Sequence, residues 1–436
     1  MERTPPRHRP VVSPRAAALE VLRRVTEQGA FSTLALGATL NRSGLEGRDR
    51  GLATELAYGT LRRLLSLDWA LARRVKRPLD GVEPEALALL RLGAYQLLFT
   101  GIPDHAAVSE TVALAPARLR GFVNGVLRSL TRGRPEWPDG SDDGSVSVRT
   151  GLSPWAVAEL RAVIPDQVEE AAAGLASSAP LSIRANTCRL SVEELETALR
   201  AAGHRTRRGA VRADTLLVER AVVEGLPGWT DGWFAVQDQA SAFVVSALEP
   251  QAGDRVLDVC AGPGGKVTHA ACLVGDGGLV VGADVSPSRT MLISRLATRL
   301  GLPVQLLAQD ARRPAVRKGF DRVLVDAPCS GIGAARRRPE LLWRPRKDDL
   351  SRLARLQVEI ASSAAGLLRP GGRLVYSVCT FPRAESDAAC RAILRHRPEL
   401  EPVTMDGPDG PAQRVRLWPH QHGADAMFVA AFRSRE

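Results

Sequence analysis

Four lysines, Lys76, Lys266, Lys318 and Lys347, are all that 436 residues contain, so the formal net charge of +11 and the pI of about 10.1 rest on arginine. No stretch stays apolar over the roughly 18 residues that a membrane span requires. The opening MERTPPRHRPVVSP lacks the hydrophobic core of a signal peptide. A cytoplasmic protein is expected. The six cysteines, Cys188, Cys260, Cys272, Cys329, Cys379 and Cys390, include no Cys-x-x-Cys pair. That spacing suggests neither a zinc site nor a disulfide framework, and six free thiols are expected. His420 and His422, in WPHQHGADA, sit on an apparent loop before a strand pattern and read as surface histidines. No metal is expected, and no internal repeat is visible.

The chain is long enough, at 44% hydrophobic residues, to bury two or three cores. Its basic surplus favours a polyanionic partner. The surplus is uneven: residues 1–134 hold 21 Lys and Arg against 12 Asp and Glu, a local charge of +9, and the remaining 302 residues carry +2. Residues 13–132 read as helices. Ser13-Pro14 supplies an N-cap and first-turn proline, followed by Ala18, Val21, Leu22 and Val25 at helical spacing. EPEALALLRLGAYQLLF repeats the pattern through Leu87, Leu90, Ala94, Leu97 and Leu98. Such a unit could bind nucleic acid or be a bundle with a solvated basic face, and composition does not choose.

Pro, Gly, Asp and Ser crowd residues 133–151, where a linker is expected. Residues 150–247 mix short helices with strand-like runs such as LSIRAN and WFAVQ, giving a small α+β domain. From 248 to 436 strands alternate with helices, the pattern of a parallel, doubly wound α/β sheet of Rossmann-like type.

The first strand of that domain runs into DVCAGPGGKV, a glycine turn that opens a helix. A dinucleotide fingerprint on Gly262 and Gly264 requires a third glycine where Val267 stands. A P-loop ending at Gly265-Lys266 requires glycine at Cys260 and a hydroxyl at Val267. The turn is therefore not built for pyrophosphate. Asp284 closes the second strand, where a carboxylate can accept both ribose hydroxyls, and Asp310 closes the third, where it can accept an adenine amine. A ribose, an adenine and no phosphate describe S-adenosylmethionine, whose carboxylate can rest on the backbone N–H groups of the turn.

Two further strands end in DAPCSGIG and YSVCT, so Cys329 and Cys379 leave neighbouring strands beside that cofactor. Carbon 5 of cytosine is a poor nucleophile until a thiolate adds to carbon 6. An acid near N3 then stabilises the adduct, and a base must remove the carbon 5 proton. Asp326 and the two thiols cover these roles, and chemistry alone does not say which thiol attacks.

LDVCAGPGGK, VLVDAPCSGIG, ELLWR and YSVCT resemble the RNA 5-methylcytosine methyltransferases. The likeness extends along almost the whole chain. VNGVLRSL resembles the NusB-like N-terminal domain of the ribosomal RNA enzymes, and PLSIRANT and WFAVQDQASAFV resemble their small domain. The resemblance implies an enzyme acting on small-subunit (16S) ribosomal RNA through a covalent cysteine-cytosine adduct; a monomer is expected. It assigns the S-adenosylmethionine contacts to Cys260, Ala261, Gly262, Pro263, Gly264, Gly265, Lys266, Asp284, Asp310 and Asp326. It also implies Cys379 as nucleophile, Cys329 as the thiol that assists release, and Lys266 as a cation directed at the reaction centre. Gly262 replaces a more usual alanine, a change that looks like the loss of a methyl alone. The acidic run after the Cys-Thr pair shrinks to RAESD, with Glu385 as its match, and TGLSPWAVAEL lacks a histidine often found there. A non-catalytic RNA-binding factor on the same scaffold would predict eroded catalytic positions. A DNA or small-molecule methyltransferase would leave the basic helical region unexplained.

Overall fold

The computed structural model describes residues 12–219 and 221–435. Residues 1–11, which carry most of the signal-peptide argument, lie outside the described residues. Among the described residues no helix is long and apolar enough to cross a membrane. The chain forms two compact units. One holds the residues up to Ala158 together with Arg337–Arg344, and the other holds Glu159–Arg336 and the chain from Pro345 onward.

The first unit is all helical. Ser13 caps the helix Pro14–Thr26 by accepting from the Ala16 amide, and Ala17, Ala18, Val21, Leu22 and Val25 are buried along it. The helix Pro84–Phe99 is buried nearly all round, because Ala86, Ala88, Leu89, Leu92 and Tyr95 join Leu90, Ala94 and Leu97 in the core. It is the central helix of this bundle, not an amphipathic one.

The expected linker is structured over half its length. Asp142 caps a helix at Asp143–Thr150 by accepting from the Gly144 and Ser145 amides, and Gly151 ends it in the left-handed conformation. Ser66 and Arg63 donate to the Val148 and Arg149 carbonyls, and Trp137 stacks on Trp69. Gly, Asp and Ser at 139–145 are therefore capping residues as well as turn formers. The ELLWR motif also belongs to this unit. Trp343 donates to the Leu61 carbonyl, Glu340 accepts the Ser32 amide, and Arg344 binds the Val25 and Ala30 carbonyls.

The second unit carries two main sheets and a separate two-stranded one. The smaller is antiparallel and four-stranded, in the order β2-β3-β1-β4, from β1 (Leu181–Ala185), β2 (Thr206–Arg208), β3 (Thr215–Val218) and β4 (Phe234–Val236). The larger contains β5 (Arg255–Asp258), β6 (Leu279–Asp284), β7 (Gln305–Ala308), β8 (Phe320–Asp326), β9 (Leu368–Val378), β10 (Leu400–Val403), β13 (Arg414–Leu417) and β14 (Met427–Ser434). Between the last of these lie the short hairpin strands β11 (Met405–Gly407) and β12 (Gly410–Ala412).

The order β10-β14-β9-β8-β5-β6-β7 is parallel only from β9 to β7. β14 pairs antiparallel with β9, and β10 and β13 pair antiparallel with β14. The expected parallel sheet is thus mixed. The helix Asp387–His396 and the strands after it carry the chain past the sheet, so that β14 enters beside β9 from the opposite direction. Alternate residues of the central strands face two cores. Leu257, Val323, Val325, Leu374 and Tyr376 meet the helix Asp349–Ala365, and Val256, Leu324, Val375 and Val429 meet the helix Gln239–Leu248.

Candidate active site

Parallel strands release their ligand-binding turns at one edge, and β5, β6, β8 and β9 end there together. Gly264, at φ +117, precedes the helix Gly265–Val274, and a Cβ there would lie 3.1 Å from the Ile293 Cα. Gly262 donates its amide to Asp284 at 3.1 Å, and the Ser286 amide reaches the other oxygen of the same carboxylate at 3.0 Å. Arg289 spans this corner, 3.5 Å from Asp284 and donating to the Gly262 carbonyl at 3.1 Å. A Cβ on Gly262 would stand 2.5 Å from the Asp284 carboxylate and 2.9 Å from the Arg289 Cβ. The glycine does more than lose a methyl: it lets acid and arginine close directly on the turn.

Asp310 lies just beyond β7 and is more exposed. Arg312 binds it through both Nε and Nη2, the latter at 2.6 Å, and the contact holds the carboxyl down at about 2.

Asp258 ends β5 fully buried. One oxygen accepts the Cys260 amide at 3.1 Å, and the other has no protein partner. Burial first, then the nearby Asp326 charge, pushes its pKa up to about 7. Asp258 is not among the residues singled out from the sequence; its one signal there is an acid closing the first strand. In the ligand-free protein the raised value makes ionised Asp258 a cost. That cost is absent below the unfolded pKa near 4, and it grows as pH rises toward the folded value of about 7. Asp258→Asn is expected to raise the melting temperature at pH 8 and to leave it nearly unchanged at pH 4. An equal change at both pH values in a thermal melt would contradict this.

The candidate reacting groups gather at the ends of β8 and β9. Their register sets Asp326 opposite Ser377, so the turns that follow carry Cys329 and Cys379 side by side, with sulfurs 3.4 Å apart. Lys266 donates to Asp326 at 2.6 Å and to Ser241 at 2.9 Å, and Ser377 donates to the other Asp326 oxygen at 2.8 Å. Burial works against the Lys266 charge. Asp326, with smaller help from Cys379 and Asp258, outweighs it and holds the ammonium above its ordinary value. The Cys329 thiol is raised well above the usual range, chiefly by its hydrogen bond to Cys379 and then by burial.

The motifs alone did not reveal what holds the two turns together. Glu385, wholly buried, accepts the Ser330 amide at 2.8 Å, the Ser330 hydroxyl at 2.5 Å and the Gln357 amide at 2.9 Å. Gln357 also donates to the Pro328 carbonyl, and Tyr376 donates to Gln357 and to the Glu385 carbonyl. Ser330 and Thr380, each one residue past a thiol, pair at 2.7 Å, and the Gly333 amide holds the Cys379 carbonyl at 3.0 Å.

Two cysteine expectations and one about histidine are corrected. Cys188 and Cys272 form a disulfide, with Cα atoms 5.7 Å apart, between the turn after β1 and the helix Gly265–Val274. An 84-residue separation hid the pair from spacing analysis. Cys260, Cys329, Cys379 and Cys390 are free thiols. His422 is buried: its Nδ1 accepts the Trp418 amide at 2.9 Å, and its Nε2 lies 3.0 Å from Asp409, so it fixes a turn. His420 contacts Gln167 at 2.9 Å. Among the described residues no cluster of His, Cys, Asp and Glu could hold a metal ion.

A Rossmann-like sheet whose glycine turn and Asp284 meet at one edge beside an acid, a lysine and paired thiols defines an S-adenosylmethionine-dependent methyltransferase. Known proteins narrow the class. Residues 245–433 match the family 16S rRNA methyltransferase RsmB/F, residues 12–132 the NusB family, and residues 152–223 the RsmF/B-like ferredoxin-like domain. The chain is 41% identical to Rv1407 of Mycobacterium tuberculosis (strain H37Rv), a candidate methyltransferase, across 98% of both chains. It is 35% identical to ribosomal RNA small subunit methyltransferase B of Vibrio cholerae, across 96% of this chain and 97% of that one. The crystal structure of PH0851 superposes with a TM-score of 0.84 at 25% identity, covering 97% of this chain and 99% of that one. This chain belongs to the RsmB/F family of RNA methyltransferases, with a NusB-like N-terminal domain and a ferredoxin-like small domain.

Proposed function

We propose that this enzyme methylates carbon 5 of a cytosine in small-subunit (16S) ribosomal RNA, acting in the cytoplasm as a monomer through a covalent adduct on Cys379. The observation that carries the reading is the thiol pair, 3.4 Å apart, beside the Lys266–Asp326 pair.

The residues suit the cofactor. The partnerless oxygen of buried Asp258 offers an acceptor for an ammonium group, and Asp284, drawn onto the turn at Gly262, offers one for ribose hydroxyls. Cys260 to Lys266, Asp284, Asp310 and Asp326 would hold S-adenosylmethionine, which supplies an electrophilic methyl group. Asp284→Ala is expected to weaken its binding by roughly 1–3 kcal/mol, the cost of an unanswered polar group. Unchanged affinity in calorimetry would remove Asp284 from the site.

The thiols lie 3.4 Å apart, and the likeness of YSVCT to the family motif assigns the nucleophile to Cys379. Its attack on carbon 6 breaks the carbon 5–carbon 6 double bond and makes carbon 5 nucleophilic. Asp326, kept in place by Lys266 and Ser377, stabilises the adduct at N3. Once carbon 5 carries the methyl group, Cys329 gives its own proton to water and, as thiolate, takes the proton from carbon 5; the electrons of that C–H bond re-form the carbon 5–carbon 6 double bond as the Cys379 sulfur leaves as thiolate.

The domains divide the work: residues 1–134 grip RNA by charge, 150–247 support the core, and 248–436 perform transfer. Bisulfite sequencing of ribosomal RNA from a strain lacking this chain should show one protected cytosine become convertible. An unchanged map would overturn the reading.

A further inference from the structure

A second charged site lies at the opposite edge of the large sheet. Registered neighbours on adjacent strands point to the same face, and the register sets Arg322 of β8 opposite Arg373 of β9, and Arg373 opposite Arg433 of β14. Three like charges in one cross-strand row oppose folding, because directly facing cations repel. The acids nearby answer them only in part. Asp254 lies 3.2 Å from Arg322, Glu249 lies 2.6 Å from Arg373, and Glu401 lies 3.7 Å from Arg435. Arg322 also donates to the Glu249 carbonyl at 2.9 Å.

These arginines line a pocket of about 390 Å³ together with Glu249, Gly371, Glu401, Ser434 and Arg435. Arg373 is 4% exposed. Its Nη1 is spent on Glu249, while its Nε and Nη2, the two donors of one guanidinium edge, have no partner. That edge is the fork that binds two oxygens of a tetrahedral oxyanion in parallel. Arg433 and Arg435, both exposed, stand at the mouth.

We propose that this pocket holds a backbone phosphate of the RNA substrate, with Arg373 at its floor and Arg433 and Arg435 at its rim. Arg322 and Asp326 are four residues apart on β8, roughly 13 Å of strand, so one folded RNA can touch both edges of the sheet. The proposal rests on RNA as the substrate. It adds an anchor outside the methyl-transfer site.

The test uses the full-length protein and a 16S ribosomal RNA transcript, with affinity measured across a salt series. Arg433→Gln changes an exposed side chain, and Arg373→Met removes the buried fork. Each is expected to lower the slope of log affinity against log salt by about 1, while S-adenosylmethionine binding stays at the wild-type value. Inorganic phosphate at constant ionic strength should compete with RNA for the wild type more than for Arg373→Met. Wild-type slopes in both variants, alongside salt-dependent wild-type binding, would overturn the anchor alone. Phosphate binding that is lost in Arg373→Met while the RNA slope stays unchanged would mark a small-anion pocket and overturn it equally. A wild type without salt-dependent RNA binding would instead defeat the RNA reading itself.

Discussion

Cys379→Ala is expected to give neither methylated RNA nor a protein-RNA adduct, because the sulfur assigned to attack carbon 6 is gone and carbon 5 is then not activated. Cys329→Ala is expected to fail differently. The attacking sulfur and the cofactor site remain, but the thiol placed to collect the carbon 5 proton, 3.4 Å from Cys379, is gone. Protein should accumulate on RNA as a slow band on a denaturing gel, only when S-adenosylmethionine is present. Exchange of the two outcomes would make Cys329 the nucleophile. Full turnover in both variants would end the covalent account.

Glu385→Ala should produce the second largest effect. One buried carboxylate takes three hydrogen bonds from Ser330 and Gln357, and through Ser330 and Thr380 it ties the turn of Cys329 to that of Cys379. Its removal strands buried donors at roughly 1–3 kcal/mol of stability. It also frees two turns whose sulfurs must stay aligned, so turnover should fall by about 100-fold, the scale of small misplacements at a reaction centre. Glu385→Gln keeps one acceptor and should fall between the alanine variant and the wild type. S-adenosylmethionine affinity should be the same in all three, since Glu385 touches none of the cofactor-turn residues. A Glu385→Ala enzyme with normal turnover would show the tie to be unnecessary.

The positions of Cys329, Cys379, Asp326 and Lys266 at one strand edge could be read from the sequence, because alternation of strands and helices fixes which turns share an edge. The start of the first helix and its buried face were legible in the same way, from Ser13-Pro14 and the spacing of Ala18 to Val25. Contacts between distant segments were not. Glu385 looked like the remnant of an acidic run, and only the fold brings it under Ser330 and Gln357. The Cys188–Cys272 bridge joins the small sheet to the helix of the glycine turn, a meeting with no local signature. The antiparallel return of β14 escaped for a related reason: an apolar strand buried on both faces reads alike in either direction. Asp142 and Gly151 look like linker composition until their side-chain cap and left-handed turn are placed at the two ends of one helix.

The most direct measurement follows the hydrogen on carbon 5. RNA transcribed with cytidine tritiated at that position, incubated with enzyme and S-adenosylmethionine, should release tritium to water in step with methyl incorporation, one for one. Methyl incorporation with the tritium retained on the RNA would place the new methyl on another atom and contradict the proposed reaction.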